Sequence, residues 1–143
     1  MEANIHFTFL SEDNIEEIIP LAAQLNPNKT EAELRQLLRE MFKLENYRCF
    51  GFVIDSKLVG MSSGWISIKL YSGKQLELDN VIIDSSIQSK GLGRQFLSHI
   101  EKWAKQNKFK TLELNSYVDN GRSHKFYFNQ GFEIIGYHFQ KKI

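Results

Sequence analysis

Disulfide bonding is the first thing this sequence excludes. Among its 143 residues there is one cysteine, Cys49, so neither an internal bridge nor a cysteine metal cluster is available. Proline is almost as scarce, with only Pro20 and Pro27. The longest turn-rich stretch, Asn26-Pro27-Asn28-Lys29, is too short for a linker, and the length is that of a single domain over residues 1–143. No run of eighteen apolar residues occurs, which excludes a membrane-spanning helix. Charge of one sign is lacking too: 18 Lys and Arg oppose 17 Asp and Glu, for a net charge of +1. The broad basic surface of a nucleic-acid binder is therefore not expected. The N-terminus has an early acid and no basic segment before an apolar run, so it does not read as a signal peptide, and the cytoplasm is the expected compartment.

What is present is an ordinary globular composition, 42% hydrophobic and 24% charged, with clear periodicities. Ile5–Leu10 reads as a strand. Ile15, Ile18, Ile19 and Ala22 share one side of a short helix running to Leu25. Thr30 and Glu33 form a capping box that opens a second helix, with a stripe of Leu34, Leu37, Leu38, Met41 and Phe42 and a stop near Asn46. The period then changes to two. Arg48–Ile54 and Leu58–Ser67 form a hairpin around Asp55-Ser56-Lys57, and Gln75–Ile83 follows. Simple alternation along this last strand places Glu77, Asp79, Val81 and Ile83 on one face and Leu78, Asn80 and Ile82 on the other. A long helix runs from about Lys90 to Asn107, with Phe96, Leu97, Ile100, Trp103 and Ala104 at helical spacing. A buried strand Thr111–Asn115, a helix Asn120–Asn129 ended by Gly131, and a last strand Phe132–Gln140 complete a mixed α/β order. There are too few crossovers for a doubly wound dinucleotide fold.

The most informative local sequence is Gln88-Ser89-Lys90-Gly91-Leu92-Gly93-Arg94. It follows a strand and opens the long helix, where free N–H groups and the positive dipole end meet. Gly91 and Gly93 permit close backbone approach, and Lys90 and Arg94 add positive charge. From Gln88 to Lys110 there are six bases and one acid, whereas Ser11–Glu45 carries eight acids and four bases. The loop lacks the GxxxxGK[ST] and GxGxxG patterns. On this local pattern alone, a phosphate site and a helix start built for packing are both open.

The pattern Gln88-x-x-Gly91-x-Gly93 resembles the acyl-CoA pyrophosphate loop of the GNAT superfamily of N-acyltransferases. Leu78-Asp79-Asn80-Val81-Ile82-Ile83 is similar to the family's central strand. The run Asn120-Gly121-Arg122-Ser123-His124-Lys125-Phe126-Tyr127-Phe128-Asn129-Gln130-Gly131-Phe132 resembles its Asn-xxx-Ala-xx-Phe-Tyr-xxx-Gly-Phe pattern. Ser123 stands where Ala is common, Ser85 where Pro is, Ser89 where Gly is and Ile87 where an aromatic is; none of these removes a backbone donor. The resemblance implies one N-acetyltransferase domain: a twisted, mostly antiparallel sheet of six or seven strands flanked by four helices. It further implies acetyl transfer from acetyl-CoA to a primary amine, without metal, by direct attack in a ternary complex.

In this family reading, the pyrophosphate lies over Ser89, Lys90, Gly91, Leu92, Gly93 and Arg94, with Gln88 at the loop's start. The pantetheine arm runs along the backbone of Val81, Ile82 and Ile83, with an N–H near Val81 facing the carbonyl oxygen and Asn120 bonding the arm. Tyr127 sits at the family's tyrosine position, where a phenol protonates the leaving thiolate. Glu77 occupies the position of a catalytic glutamate. Asp79, two residues on, is the alternative base or an acceptor-site acid, and a mechanism without a side-chain base also stays open. His124, one turn before Tyr127, either lines the acceptor pocket or packs.

His6, His99 and His138 show no metal-ligand spacing. Cys49, between Tyr47 and Phe50, reads as a buried thiol, and Trp65 and Trp103 read as core or core edge. The acidic early helices, the Lys69–Lys74 loop and Tyr117-Val118-Asp119 bound the acceptor site and suit a small cationic amine. A protein or peptide acceptor and a catalytically weak CoA-binding regulatory domain are the alternatives. A homodimer is the expected assembly, with the Phe-rich segment Phe132–Phe139 as a candidate contact.

Overall fold

A computed structural model of the chain describes residues 3–87 and 91–143. Its elements are β1 (Ile5–Phe9), a 3-10 turn (Glu12–Asn14), α1 (Ile15–Leu25), α2 (Glu31–Phe42), β2 (Tyr47–Ile54), β3 (Lys57–Lys69) and β4 (Gly73–Ile83). A second 3-10 turn (Ser85–Ile87), α3 (Leu92–Gln106), β5 (Thr111–Leu114) and α4 (Gly121–Asn129) follow. The strands form one sheet in the order β1-β2-β3-β4-β5. Neighbours are antiparallel through β4, and β5 joins β4 in parallel. This is the mixed α/β class expected, with five strands among the described residues in place of six or seven.

The helices divide between the two faces. α1 and α2 cover one, where Ile15, Ile18, Ile19, Leu34 and Leu38 pack with Tyr47, Cys49, Met61 and Ile82. α3 covers the other through Phe96, Leu97, Ile100 and Ala104, packed with Phe50, Phe52, Leu76 and Leu78. Thr30 caps α2 by accepting from the Glu33 N–H at 3.1 Å. That helix ends at Lys43 instead of Asn46, because the Lys43 N–H already closes on the carbonyls of Glu40 and Met41. Leu37, placed in its stripe, is 41% exposed and lies on the helix edge. The Asp55-Ser56 turn takes φ of 48° and 67°, the left-handed pair that a two-residue hairpin needs.

Two expectations fail. Phe132–Gln140 is not a strand: from Glu133 onward the chain carries no regular structure and is exposed throughout. The simple alternation along β4 fails as well. Met61 pairs with Ile82 but Ser63 with Asp79, so three steps on β4 oppose two on β3. This is a bulge, with Asn80 at φ 53°, a conformation Asn tolerates better than most residues. Leu76 and Leu78 face α3, so Glu77 and Asp79 face the α1–α2 side. Beyond the bulge the order inverts: Ile82 packs on the α1–α2 side, and Val81 and Ile83 on the α3 side. The extra residue turns over every later side chain.

Candidate active site

The β4–β5 ladder runs from Gln75↔Thr111 to Leu78↔Leu114 and stops. β4 continues for five further residues, Asp79–Ile83, with the bulge at their start. The two parallel strands thus part company where the backbone of β4 is reoriented. Val81, Ile82 and Ile83 all lie in this stretch.

After β4 the chain turns toward α3 through a small polar knot. Asp84 Oδ1 accepts from the Ser86 N–H and hydroxyl, both at 3.0 Å. Its carboxyl is held below its ordinary value, chiefly by the Ser86 N–H. Gln24 of α1 accepts from the Ser85 N–H at 3.1 Å. These bonds tie the start of the glycine loop to the helix on the opposite face. Gln88, Ser89 and Lys90 lie outside the described residues.

At the start of α3, Gly91 has φ 74°, and a Cβ built on it would meet nothing within 4 Å. The space on its Cβ side is thus open among the described residues, and its φ is one that L side chains resist. Among the described residues no side chain caps this helix and no acid lies in its first turn, while Arg94 is exposed there. Gly93 also has a packing role. A Cβ there would lie 3.3 Å from Phe126 Cζ, so its smallness seats α4 against the first turn of α3. Leu92 packs partly into the α3-side core.

α4 carries the second motif. Asn120 is its N-cap and accepts from the Ser123 N–H at 3.2 Å, leaving its amide hydrogens to donate elsewhere. His124 Nε2 lies 2.8 Å from the Tyr117 carbonyl and pins the loop before the helix. Tyr127 stands edge-on to Phe126 and Phe132, with ring centroids 5.5 and 5.7 Å away. Burial raises its phenol above the ordinary value, so the hydroxyl stays protonated and able to donate at neutral pH.

The α1–α2 face of the sheet holds the carboxylates. Register pairs Tyr47 with Trp65, Trp65 with Glu77, and Glu77 with Glu113. These four side chains form one row across β2, β3, β4 and β5. The next row holds Cys49, Ser63 and Asp79. Asn115 donates to Glu77 Oε1 at 3.1 Å, and Tyr71, reaching in from the β3–β4 loop, donates to Glu113 Oε1 at 2.8 Å. The Tyr47 and Trp65 rings are 4.7 Å apart, and Tyr47 Oη lies 2.7 Å from Ser63 Oγ. Cys49 is buried as expected, and burial pushes its thiol up to about 12, which leaves no thiolate near neutrality.

Sequence reasoning missed Glu113 and Asn115, and it named the Lys69–Lys74 loop without singling out Tyr71. The alternation Leu112-Glu113-Leu114, with the acid opposed to two apolar neighbours, carried the signal for Glu113. Tyr71 belongs to a loop whose reach only the fold defines.

Three comparisons bear on this geometry. The sequence profile of the acetyltransferase (GNAT) family matches residues 15–132. No curated protein matches the sequence. Among solved structures, the aminoglycoside N-acetyltransferase AAC(6')-Iy in complex with CoA superposes with a TM-score of 0.86, at 15% identity, over 100% of this chain and 97% of that one. A ribosomal-protein-alanine N-acetyltransferase from Brucella melitensis biovar Abortus 2308 gives 0.83 at 14% identity, over 98% and 99%. A transcriptional regulator from Bacillus halodurans C-125 gives 0.85 at 16% identity, over 98% and 100%. At these identities the structures speak for the shared fold, while the profile spans most of the chain: this protein belongs to the GNAT acetyltransferase family.

Proposed function

We propose that the chain transfers the acetyl group of acetyl-CoA to a primary amine of a small molecule, by direct attack within a ternary complex. The observation that carries this reading is the parting of β4 from β5 at a bulge, beside a helix start where Gly91 takes a φ of 74°. The residues present suit the donor. A diphosphate matches the acid-free first turn of α3, with Gly91 backbone and Arg94 at hand. A thioester arm matches the β4 backbone at Val81 and Ile82, with Asn120 as a further donor. When bound, acetyl-CoA supplies the acyl group and a leaving thiolate.

The protein's part is positioning and proton movement. Glu77, or Asp79 beside it, takes a proton from the ammonium form of the acceptor, directly or through water, so that nitrogen can form its bond to the acetyl carbon. An N–H near Val81 stabilises the charge that develops on the carbonyl oxygen. As the carbon–sulfur bond breaks, Tyr127 gives its proton to the thiolate, and the second proton shed by the acylated nitrogen restores the phenol through water. Binding both reactants at the β4–β5 gap supplies the proximity term, which needs no covalent enzyme intermediate.

A small cationic acceptor is favoured by the row on the α1–α2 face. Glu77, Asp79 and Glu113 supply negative charge, and Trp65 supplies an aromatic surface beside them, a combination that attracts an ammonium group. The fold itself does not choose, since its neighbours include enzymes named for aminoglycosides and for a ribosomal protein. A cytoplasmic location and a homodimer belong to the same reading.

Thiol release from acetyl-CoA by the full chain, measured with a panel of polyamines, amino sugars, amino acids and peptides, tests the proposal. Amine-dependent release is expected, strongest with small cationic amines, together with calorimetric binding of CoA but not of ATP or NAD. Absence of both CoA binding and thiol release would reject it.

A further inference from the structure

We propose that Gln24 is a positioning residue for acetyl-CoA: from α1, on the opposite face of the sheet, it holds the Ser85–Ile87 turn in the orientation from which the start of α3 receives the diphosphate. This role rests on the CoA-binding half of the proposed function and adds to it a residue from outside the loop and both motifs.

The bond itself comes first. Ser85 opens the turn, so its N–H is among those that a helical start leaves without a partner inside the turn. Asp84 Oδ1 takes the next N–H, that of Ser86, together with the Ser86 hydroxyl. The Ser85 N–H goes to Gln24 Oε1 instead, at 3.1 Å and 61 residues away in sequence. The other end of the same amide, Nε2, lies 3.5 Å from Asp84 Oδ1. Both ends of the Gln24 side chain are thus turned to the knot.

Ser85 serves this bond through its main chain. Proline, common at this place in the family pattern, has no N–H to give. The departure at Ser85 is what lets α1 take hold of the turn.

What the bond connects gives it consequence. α1 is a firm anchor, since Ile18, Ile19, Leu21 and Ala22 are buried. The turn is tied to β3 through the Asp84 N–H, which donates to the Val59 carbonyl at 2.7 Å. At its other end Ile87 packs partly into the α3-side core. Between these ends Ser85 and Ser86 are exposed, so hydrogen bonds and not packing set the orientation of the turn. Gln24 supplies the tie from the α1–α2 face. Without it the turn pivots about its two ends, and a binding segment that its ligand must first order binds that ligand more weakly.

Calorimetric titration of the full chain with CoA tests this role. Gln24→Met keeps the length of the side chain and its helix propensity but loses the amide. CoA affinity is expected to fall about fivefold, the scale of one neutral hydrogen bond. The melting temperature should hold, because Gln24 is exposed. In the thiol-release assay the KM for acetyl-CoA should rise by a similar factor, while kcat and the amine KM are unchanged. Ser85→Ala keeps the N–H and should bind CoA as the unsubstituted chain does. Ser85→Pro removes the N–H, and on that background Gln24→Met should have no further effect. Unchanged CoA affinity in Gln24→Met, an additive effect on the Ser85→Pro background, or an equal rise in the amine KM would each overturn the role. CoA binding that weakens in Gln24→Met, in a chain that releases no thiol with any amine, would reject acetyl transfer and leave the role standing. Absence of CoA binding by the unsubstituted chain would reject both.

Discussion

Asn115 donates its side-chain amide to the Glu77 carboxylate across 3.1 Å, one residue past the last pair of the β4–β5 ladder. The bond spans the point where the strands part. It fixes the orientation of the proposed base at the edge of the gap where an amine and a thioester would meet.

Glu77→Gln is therefore expected to lower kcat by about 100-fold or more, the usual scale for loss of a general base, with little change in calorimetric CoA affinity. Asn115→Ala acts only through position and is expected to lower kcat less, with the Glu77→Gln/Asn115→Ala double variant no worse than Glu77→Gln alone. Asp79→Asn provides the control: if it, and not Glu77→Gln, removes turnover, the base is Asp79.

Tyr127→Phe keeps the ring and its edge contacts with Phe126 and Phe132 and removes the proton. We expect kcat to fall by about 100-fold with CoA affinity retained. The neutral phenol is the active form and burial raises its pKa. The alkaline limb of kcat set by this group should therefore lie above the ordinary phenol range and be missing in Tyr127→Phe. Unchanged turnover across pH would exclude this role.

Gly64→Ala tests the packing of the sheet on α3. A Cβ there would come within 2.8 Å of Phe50 Cε2 and 3.0 Å of Leu76 Cδ1, and both neighbours are buried. Overpacking of this kind costs about 1–3 kcal/mol. Urea denaturation should show a lower midpoint with an unchanged slope.

Alkaline stability follows from Cys49. Its thiol is pushed up to about 12 in the folded chain, against about 8.5 when unfolded. The folded state holds its proton longer, so the contribution to stability is complete below the unfolded value and is lost as pH rises toward the folded one. The Tyr47 phenol, also raised by burial, acts in the same direction. The melting temperature should fall steadily above about pH 8.5, and less steeply in Cys49→Ala.

Much of the fold was legible because its signals are local. Thr30 caps α2 by the Thr30 half of the expected capping box, and the α3 residues expected in the core, Phe96, Leu97, Ile100 and Ala104, are buried. The positive φ of Gly91 fits its place in the loop motif. Gly93, read through the same motif, also packs against Phe126, a residue from a helix after another strand, and that contact was not legible locally. Leu37 fitted the periodicity of α2 and still lies at its edge, because the width of the buried stripe depends on what the helix packs against.

What the sequence determined by itself is most of the elements up to α4, since periodicity, capping and glycine conformations act within a few residues. Tertiary structure decided what those elements do together. The Asn80 bulge inverted the faces of β4, because register is a property of two strands and not of one. Pairing across β2, β3, β4 and β5 gathered Tyr47, Trp65, Glu77 and Glu113 into a row, although they are widely separated along the chain. The tail from Glu133 onward has the alternation of a strand but no ladder in its own sheet: a strand's hydrogen bonds belong to its neighbour, and alternation cannot say where that neighbour is.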